Sequence, residues 1–462
     1  MLSKKVAIIG AGPAGLVSAK ECLESGLEPV VFESQADIGG LWHPKTGSTW
    51  VGMRTNISTL TSVFPDFPWS DTADEFPTQA VMYEYLCRYA DTYDLKNYIR
   101  FNCAVELLEQ NGNKWQIKTQ PFGTESYDFV IVASGIFSKP HMPIESSSNI
   151  MHSSEYKSVA QVKDKNIVIY GGGFSGVEIA AAIAEHAKSI VHIVRSPHWI
   201  IPRYIGNQPL DKVFYQQPNR SDPHENSLKT AEDNIKVNAY MATLSKSQTL
   251  DVNNPLYIDP TSSNPAKVAI SDNYMGHVES GKIIVKKDIY ADPNCDLKIY
   301  CTGYQLRLDY MHPDVKKTLQ FAEDQLQPIL LHKCTWHPNL PNMAFVGMYR
   351  GPYLPIMELQ AKWATQVFSG KLPRPTNAAM QISLAHEKKL RELPKQLRPQ
   401  FPHGDYVGLR NDLTEVLKCR HNILHRYNLR TQRLKLVANV VALATYGVKQ
   451  QVHTYVNKLR NF

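Results

Sequence analysis

Two stretches of the chain share one hydrophobic pattern. V-A-I-I at residues 6–9 and I-V-I-Y at 167–170 are short apolar runs, the pattern of buried parallel strands. Each enters a glycine-rich turn, G-A-G-P-A-G at 10–15 and G-G-G-F-S-G at 171–176. Apolar residues at helical spacing follow: Leu16, Ala19, Cys22 and Leu23 after the first turn, Val177, Ile179, Ala180 and Ile183 after the second. A further strand pattern closes each unit, at 29–33 and 189–194. Both units read as β-α-β. Two other strand patterns, 127–135 and 295–304, end alike, in A-S-G and C-T-G-Y. The order is unit, turn, unit, turn. It predicts an α/β fold with two nested Rossmann-like dinucleotide-binding domains, the second inserted in the first. Expected boundaries are 1–150 and 301–415 for the first domain, 151–300 for the second and 416–462 for a tail. Residues 140–154 are rich in Pro and Ser and read as a linker. Residues 207–266 read as a polar excursion with one helical patch at 227–245.

The glycine turns suit pyrophosphate. Gly10 permits the tight turn, Gly12 lets the backbone approach the phosphates, and Gly15 packs helix on strand. Pro13 and Ala14 open the helix, whose free N–H groups and dipole favour an anion. Glu33, at the end of the next strand, is placed to accept from ribose hydroxyls. Gly171, Gly173, Phe174, Ser175 and Gly176 repeat the pattern. Arg195 stands where Glu33 stands in the first unit. An arginine there pairs with a 2′-phosphate and favours NADP over NAD. Ser196 and Arg203 are further candidates for that phosphate. Two nucleotide sites and no metal-ligand pattern imply flavin and nicotinamide, FAD and NADPH, with no metal.

Composition narrows the class. Apolar residues make up 43% of 462, enough for a sizeable core. No apolar run approaches the roughly 20 residues of a membrane-spanning helix. The N-terminus lacks a secretory pattern. Seven scattered cysteines, without C-x-x-C, argue against a disulfide framework, a zinc site and a dithiol centre. A cytoplasmic enzyme is expected. The net charge is +7, but nine Lys/Arg and no acid lie between 418 and 462. That basic amphipathic tail suits a docked terminal helix, a homodimer contact or an anionic membrane surface. No nucleic-acid reader motif accompanies it.

The string after Glu33 is specific. D-I-G-G-L-W at 37–42, T-N-I-S at 55–58 and F-P-D-F-P at 64–68 resemble the flavin-containing monooxygenases. So do C-T-G-Y at 301–304, the F-V-G-M at 345–348 and E-L-Q-A-K-W at 358–363. The resemblance covers most of 3–375. It implies FAD contacts at Gly40, Leu41, Trp42, Thr55, Thr302, Gly303, Tyr304 and Gln360. It also implies that Asn56, beside the flavin, is the catalytic side chain. Trp42 stacks on flavin or is plain core. The implied reaction uses NADPH and O2, forms a C4a-hydroperoxide on FAD, and oxygenates a soft amine nitrogen or sulfide sulfur. The aromatics Phe64, Phe67 and Trp69 are expected to close over the FAD, and Cys301 to be inert. One departure stands out. The family's inter-domain signature keeps His152 and Tyr156, but Ser146 and Ser148 replace its Phe and Gly. Three rivals stay open: a Baeyer–Villiger or N-hydroxylating enzyme, an NADPH oxidase or reductase with uncoupled turnover, and a redox sensor. Lys157 after Tyr156 leans away from the Baeyer–Villiger signature, and intact glycine turns oppose a sensor.

Overall fold

The computed structural model describes residues 3–142, 149–215, 229–245, 250–287, 295–351, 353–403 and 406–418. Ser146, Ser148 and nearly all of the basic tail lie outside them. Two five-stranded parallel sheets carry the fold. In the first the order is Met343–Phe345, Phe129–Val132, Lys5–Ile9, Glu28–Phe32, Ile99–Arg100. In the second it is Ile284–Lys286, Ser189–Ile193, Asn166–Tyr170, Leu297–Tyr300, Ile150–His152. The first sheet takes its last strand from beyond the second, so the chain leaves one unit and returns to it. This is the α/β architecture that the repeated pattern predicts.

In each sheet the central strand is the one that enters a glycine turn, and strand order reverses there. Ligands bind parallel sheets at that switch, beyond the carboxyl ends of the strands. The helix Pro13–Glu24 lies over the first sheet and packs on Leu354–Phe368. Leu16, Val17, Leu359 and Trp363 are buried between them. A three-stranded antiparallel sheet, Val105–Asn111, Lys114–Thr119 and Gly123–Tyr127, contributes Trp115 and Ile117 to the core on the other face.

The described parts of the polar excursion are better packed than its composition suggests. It holds the helices Leu210–Phe214 and Ala231–Leu244. Thr230 and Asp233 form a capping box at the second helix. Asn238 explains how so polar a segment is fixed. Its Oδ1 accepts from Trp199 Nε1 at 2.8 Å, and its Nδ2 reaches the carbonyls of Asn234, Ser262 and Asn264. Among the described residues, no helix is long and apolar enough to cross a membrane.

Candidate active site

The two turns are built alike. Gly10 and Gly171 have φ of 102° and 116°, a region that L side chains rarely adopt. A Cβ on Gly10 would lie 2.8 Å from Ala133 O, and one on Gly171 would overlap Cys301 O. The A-S-G and C-T-G turns therefore abut the glycine turns, through Ala133 N→Ile9 O and Cys301 N→Tyr170 O. Gly15 and Gly176 sit behind, where a Cβ would overlap the carbonyl of Gly10 or Gly171. Neither helix has a side-chain N-cap. Their first N–H groups are thus left for a ligand. Gly173 has nothing within 4 Å of an added Cβ, which leaves room for phosphate against the backbone.

Both turns open on one cavity of about 2540 Å³. Pockets for one drug-sized molecule reach roughly 1,000 Å³, so this one has space for two nucleotides. Gly10, Gly12, Pro13, Ala14, Glu33, Gly40, Leu41, Trp42, Thr55 and Asn56 line one side. Gly171, Gly173, Phe174, Ser175, Arg195 and Ser196 line the other, and Thr302, Gly303 and Tyr304 lie between them. Gly40 approaches Gly12 closely: a Cβ on it would lie 3.1 Å from Gly12 Cα. Gly39 N–H donates to Ala11 O, so the G-G-L-W turn is folded against the first glycine turn. Gln79 Nε2 holds Trp42 O at 2.7 Å.

Glu33 is buried, and its two oxygens accept from Ala11 N at 2.7 Å and Gln35 N at 2.8 Å. Arg195 and Ser196 are exposed in the cavity wall. Asn56 Oδ1 and Thr55 Oγ1 are buried without a hydrogen-bond partner. Buried polar atoms are nearly always satisfied, so this pair, in a cavity wall, fits a missing ligand. Cys301 also lines the cavity, its thiol pushed up to about 12 by burial.

Several expected residues stand elsewhere. Gln360 is fully buried behind the wall. Its Oε1 accepts from Gly347 N at 3.0 Å, and its Nε2 donates to Cys334 O at 3.0 Å. It shapes the loop that lines the cavity rather than the cavity itself. Phe64, Phe67 and Trp69 pack on Tyr85 and Tyr89 of the helix Gln79–Thr92, away from the cavity lining. Arg203 is also displaced from the expected phosphate role. It is buried, its Nη2 donates to Glu178 at 2.6 Å, its Nη1 to Asp272 at 2.9 Å and its Nε to Thr55 O at 3.1 Å. A buried guanidinium with two carboxylates already has its anions.

Two residues and one acidic cluster went unread in the sequence. Asp211 is buried, and its Oδ2 accepts from Ser58 N at 3.1 Å, Ser58 Oγ at 2.8 Å and Thr61 Oγ1 at 2.6 Å. Burial raises its pKa, against those hydrogen bonds. Arg203 and Asp211 therefore grip the Asn56 loop on both sides, from the far unit. His192 is buried under the second turn. Its ring nitrogens meet Gly171 O at 2.9 Å and Tyr274 Oη at 2.6 Å. Burial pushes its pKa down to about 4, so the ring is neutral. A histidine interrupting an apolar strand was the only available signal. The three carboxylates Glu21, Asp66 and Glu358 form the one acidic group among the described residues close enough to hold an ion. Lys20 already pairs with Glu21 and Asp66 there, away from the cavity lining.

The profile of the flavin-binding monooxygenase-like proteins matches residues 3–441. The chain belongs to this family. Flavin-containing monooxygenase 5 of Mus musculus is 29% identical over 461 residues, covering 92% of this chain and 84% of that protein. Mouse dimethylaniline monooxygenase [N-oxide-forming] 2 is also 29% identical, covering 89% and 82%. Among solved structures, S-allyl-L-cysteine S-oxygenase from Allium sativum superposes with a TM-score of 0.63 at 20% identity, covering 100% of this chain and 99% of that one. Cyclohexanone monooxygenase from Rhodococcus sp. Phi1 bound to NADP+ gives 0.65 at 16%, covering 90% and 98%. These last two share the fold. Membership of the family makes the chain a flavin monooxygenase, an oxidoreductase with flavin as its cofactor.

Proposed function

We propose that the chain is an NADPH- and O2-dependent FAD monooxygenase that oxygenates soft nucleophiles, amine nitrogen and sulfide sulfur. One observation carries this reading: both glycine turns and the unpaired amide oxygen of Asn56 open on the same cavity. Residues 1–150 and 301–415 are assigned to FAD, and 151–300 to NADP(H).

Bound FAD and NADPH supply the hydride transfer and the activation of O2. The chain's own residues bind, orient and exclude water. Gly12 and the N–H groups at Ala14 and Gly15 receive the FAD pyrophosphate, while Pro13 presets the helix start. Glu33 retains lone pairs beyond its two backbone bonds for ribose hydroxyls. Gly40, Leu41 and Trp42 cover this side. Phe174 and Ser175 offer N–H groups to the second pyrophosphate, and Arg195 with Ser196 takes the 2′-phosphate. Asn56, held by Arg203 and Asp211 through its neighbours, presents an amide to the reacting centre. With both groups bound, the cavity wall would limit the access of water to the reacting centre.

Purified, flavin-loaded protein should consume NADPH and O2 with N,N-dimethylaniline or a methyl sulfide. Mass spectrometry should find the N-oxide or sulfoxide in step with NADPH oxidised. Stoichiometric hydrogen peroxide with neither product would overturn the reading. A ketone converted to its ester would move the assignment to Baeyer–Villiger chemistry.

A further inference from the structure

The cavity wall carries a cation that the reading above leaves unused. Arg350 follows the strand Met343–Phe345 and lines the cavity. Its Nε–H is buried without an acceptor. Its Nη1 reaches Gln325 O at 3.4 Å, long for a hydrogen bond. The neighbouring carboxylate, Asp324, already accepts from Arg398 at 2.5 Å and 2.9 Å. Arg398 thus claims that carboxylate, which acts on Arg350 only through its charge. Burial also lowers the pKa of Arg350, against the pull of Asp324.

An enclosed guanidinium without a full set of acceptors is costly. Its fork of N–H donors matches a carboxylate or a phosphate. Its surroundings point the same way. The Phe401 ring lies 5.8 Å from the Arg350 guanidinium and 5.9 Å from the Phe174 ring at the second glycine turn. Lys267 and His198 line the same wall. His198 is pushed down to about 4, first by burial, then by Lys267 and Arg350. It is therefore a neutral hydrogen-bonding group near two cations, with Nδ1 3.0 Å from Ser196 O. The other carboxylates in the cavity lining are engaged or peripheral. Glu33 holds its own turn, Glu178 holds Arg203, and Glu323 is exposed.

We infer that Arg350 forms an oxyanion subsite, distinct from the Arg195 position, for a phosphate or carboxylate group of a molecule bound in the cavity. The subsite rests on the proposed function for its two sources, the NADPH pyrophosphate or a carboxylate borne by the oxygenated substrate. Nε–H and one Nη–H grip two anionic oxygens side by side, while Lys267 reaches towards Ser196 at 3.4 Å and belongs to the Arg195 side of the wall.

The test uses the full, flavin-loaded chain with Arg350→Gln and Arg350→Lys. Calorimetric titration reads NADP+ and inorganic pyrophosphate. Steady-state turnover compares 3-(methylthio)propionate with its uncharged methyl ester. A tenfold or greater weakening of NADP+ and pyrophosphate by Arg350→Gln assigns the subsite to the cofactor phosphates. A tenfold rise in KM for the acid relative to the ester assigns it to a substrate carboxylate. Arg350→Lys, which keeps the charge and loses the fork, should lose less in the same measurement. It also supplies the reading if Arg350→Gln does not fold. If NADP+, pyrophosphate and the acid-to-ester ratio all stay within twofold of the parent, the inference is wrong. A parent enzyme that oxidises neither NADPH nor thioether would defeat the proposed function instead, and the pyrophosphate titration would still report on Arg350.

Discussion

The two glycine turns share a backbone and differ in what stands at the end of the next strand. In the first unit Glu33 is buried, with both oxygens bonded to backbone N–H groups of the surrounding turns. In the second unit Arg195 and Ser196 are exposed along the cavity. A carboxylate tied down in this way offers fixed acceptors, suited to neutral hydroxyls. A guanidinium left in the open has its fork of N–H donors available to an incoming phosphate. The units also differ in how they are braced. The first turn is covered from within its own unit by Gly39 on Ala11. The second rests on His192 from beneath. Under the proposed function, one local motif would serve a retained group and an exchanging one, through what is packed around it.

The largest expected effect separates the turns. Gly15→Ala drives a methyl into Gly10 O, so the purified protein should be colourless, with flavin absorbance and activity down by more than about 100-fold. Gly176→Ala makes the same overlap with Gly171 O. It should keep its yellow flavin and lose NADP+ binding by calorimetry. Loss of flavin from both variants would erase the distinction.

Arg195→Glu should come next. Losing one or two charge-assisted bonds, about 1.5–3 kcal/mol each, and adding repulsion should weaken NADPH roughly 100-fold in flavin-reduction kinetics. NADH should change little. Equal loss of both would place the 2′-phosphate elsewhere.

Asp211→Asn keeps the shape but weakens the hold on Ser58 and Thr61. The expected outcome is a several-fold fall in product formed per NADPH, with peroxide making up the difference and flavin content unchanged. Unaltered coupling would show that the grip on the Asn56 loop is purely structural.

The smallest effect at neutral pH belongs to His192. Its folded pKa, about 4, lies below the usual 6.5, so the unfolded chain binds more protons between those values. The stability it contributes is present above pH 6.5 and is lost as pH falls towards 4, up to about 3 kcal/mol for this residue. His192→Gln should flatten the fall in melting temperature across that window. An unchanged slope would assign the acid sensitivity to other groups.

The elements that could be read early were those made by neighbours in sequence. The apolar runs at 6–9 and 167–170, the glycine turns and the helices after them use interactions within about 30 residues, so pattern and spacing identify them. The pairing of A-S-G at 133–135 with the first turn and C-T-G at 301–303 with the second was visible as likeness, and the sheets bring each pair together. Arg203 shows where that reading stops. As a basic residue after a strand it fits a phosphate, yet Glu178 and Asp272 claim it. Gln360 carries a family motif, yet it faces Gly347 and Cys334.

The sequence alone therefore determined the α/β class, the nested order, the two turns and the contrast between Glu33 and Arg195. These depend on backbone conformation and short-range spacing. Tertiary structure decided which charges are spent and which are open. Asp211 meets Ser58 across 153 positions, Arg203 meets Thr55 across 148, and Arg398 takes Asp324 across 74. Desolvation and hydrogen bonding act on groups that share space, and the residues that will share it carry no mark of this in their order along the chain.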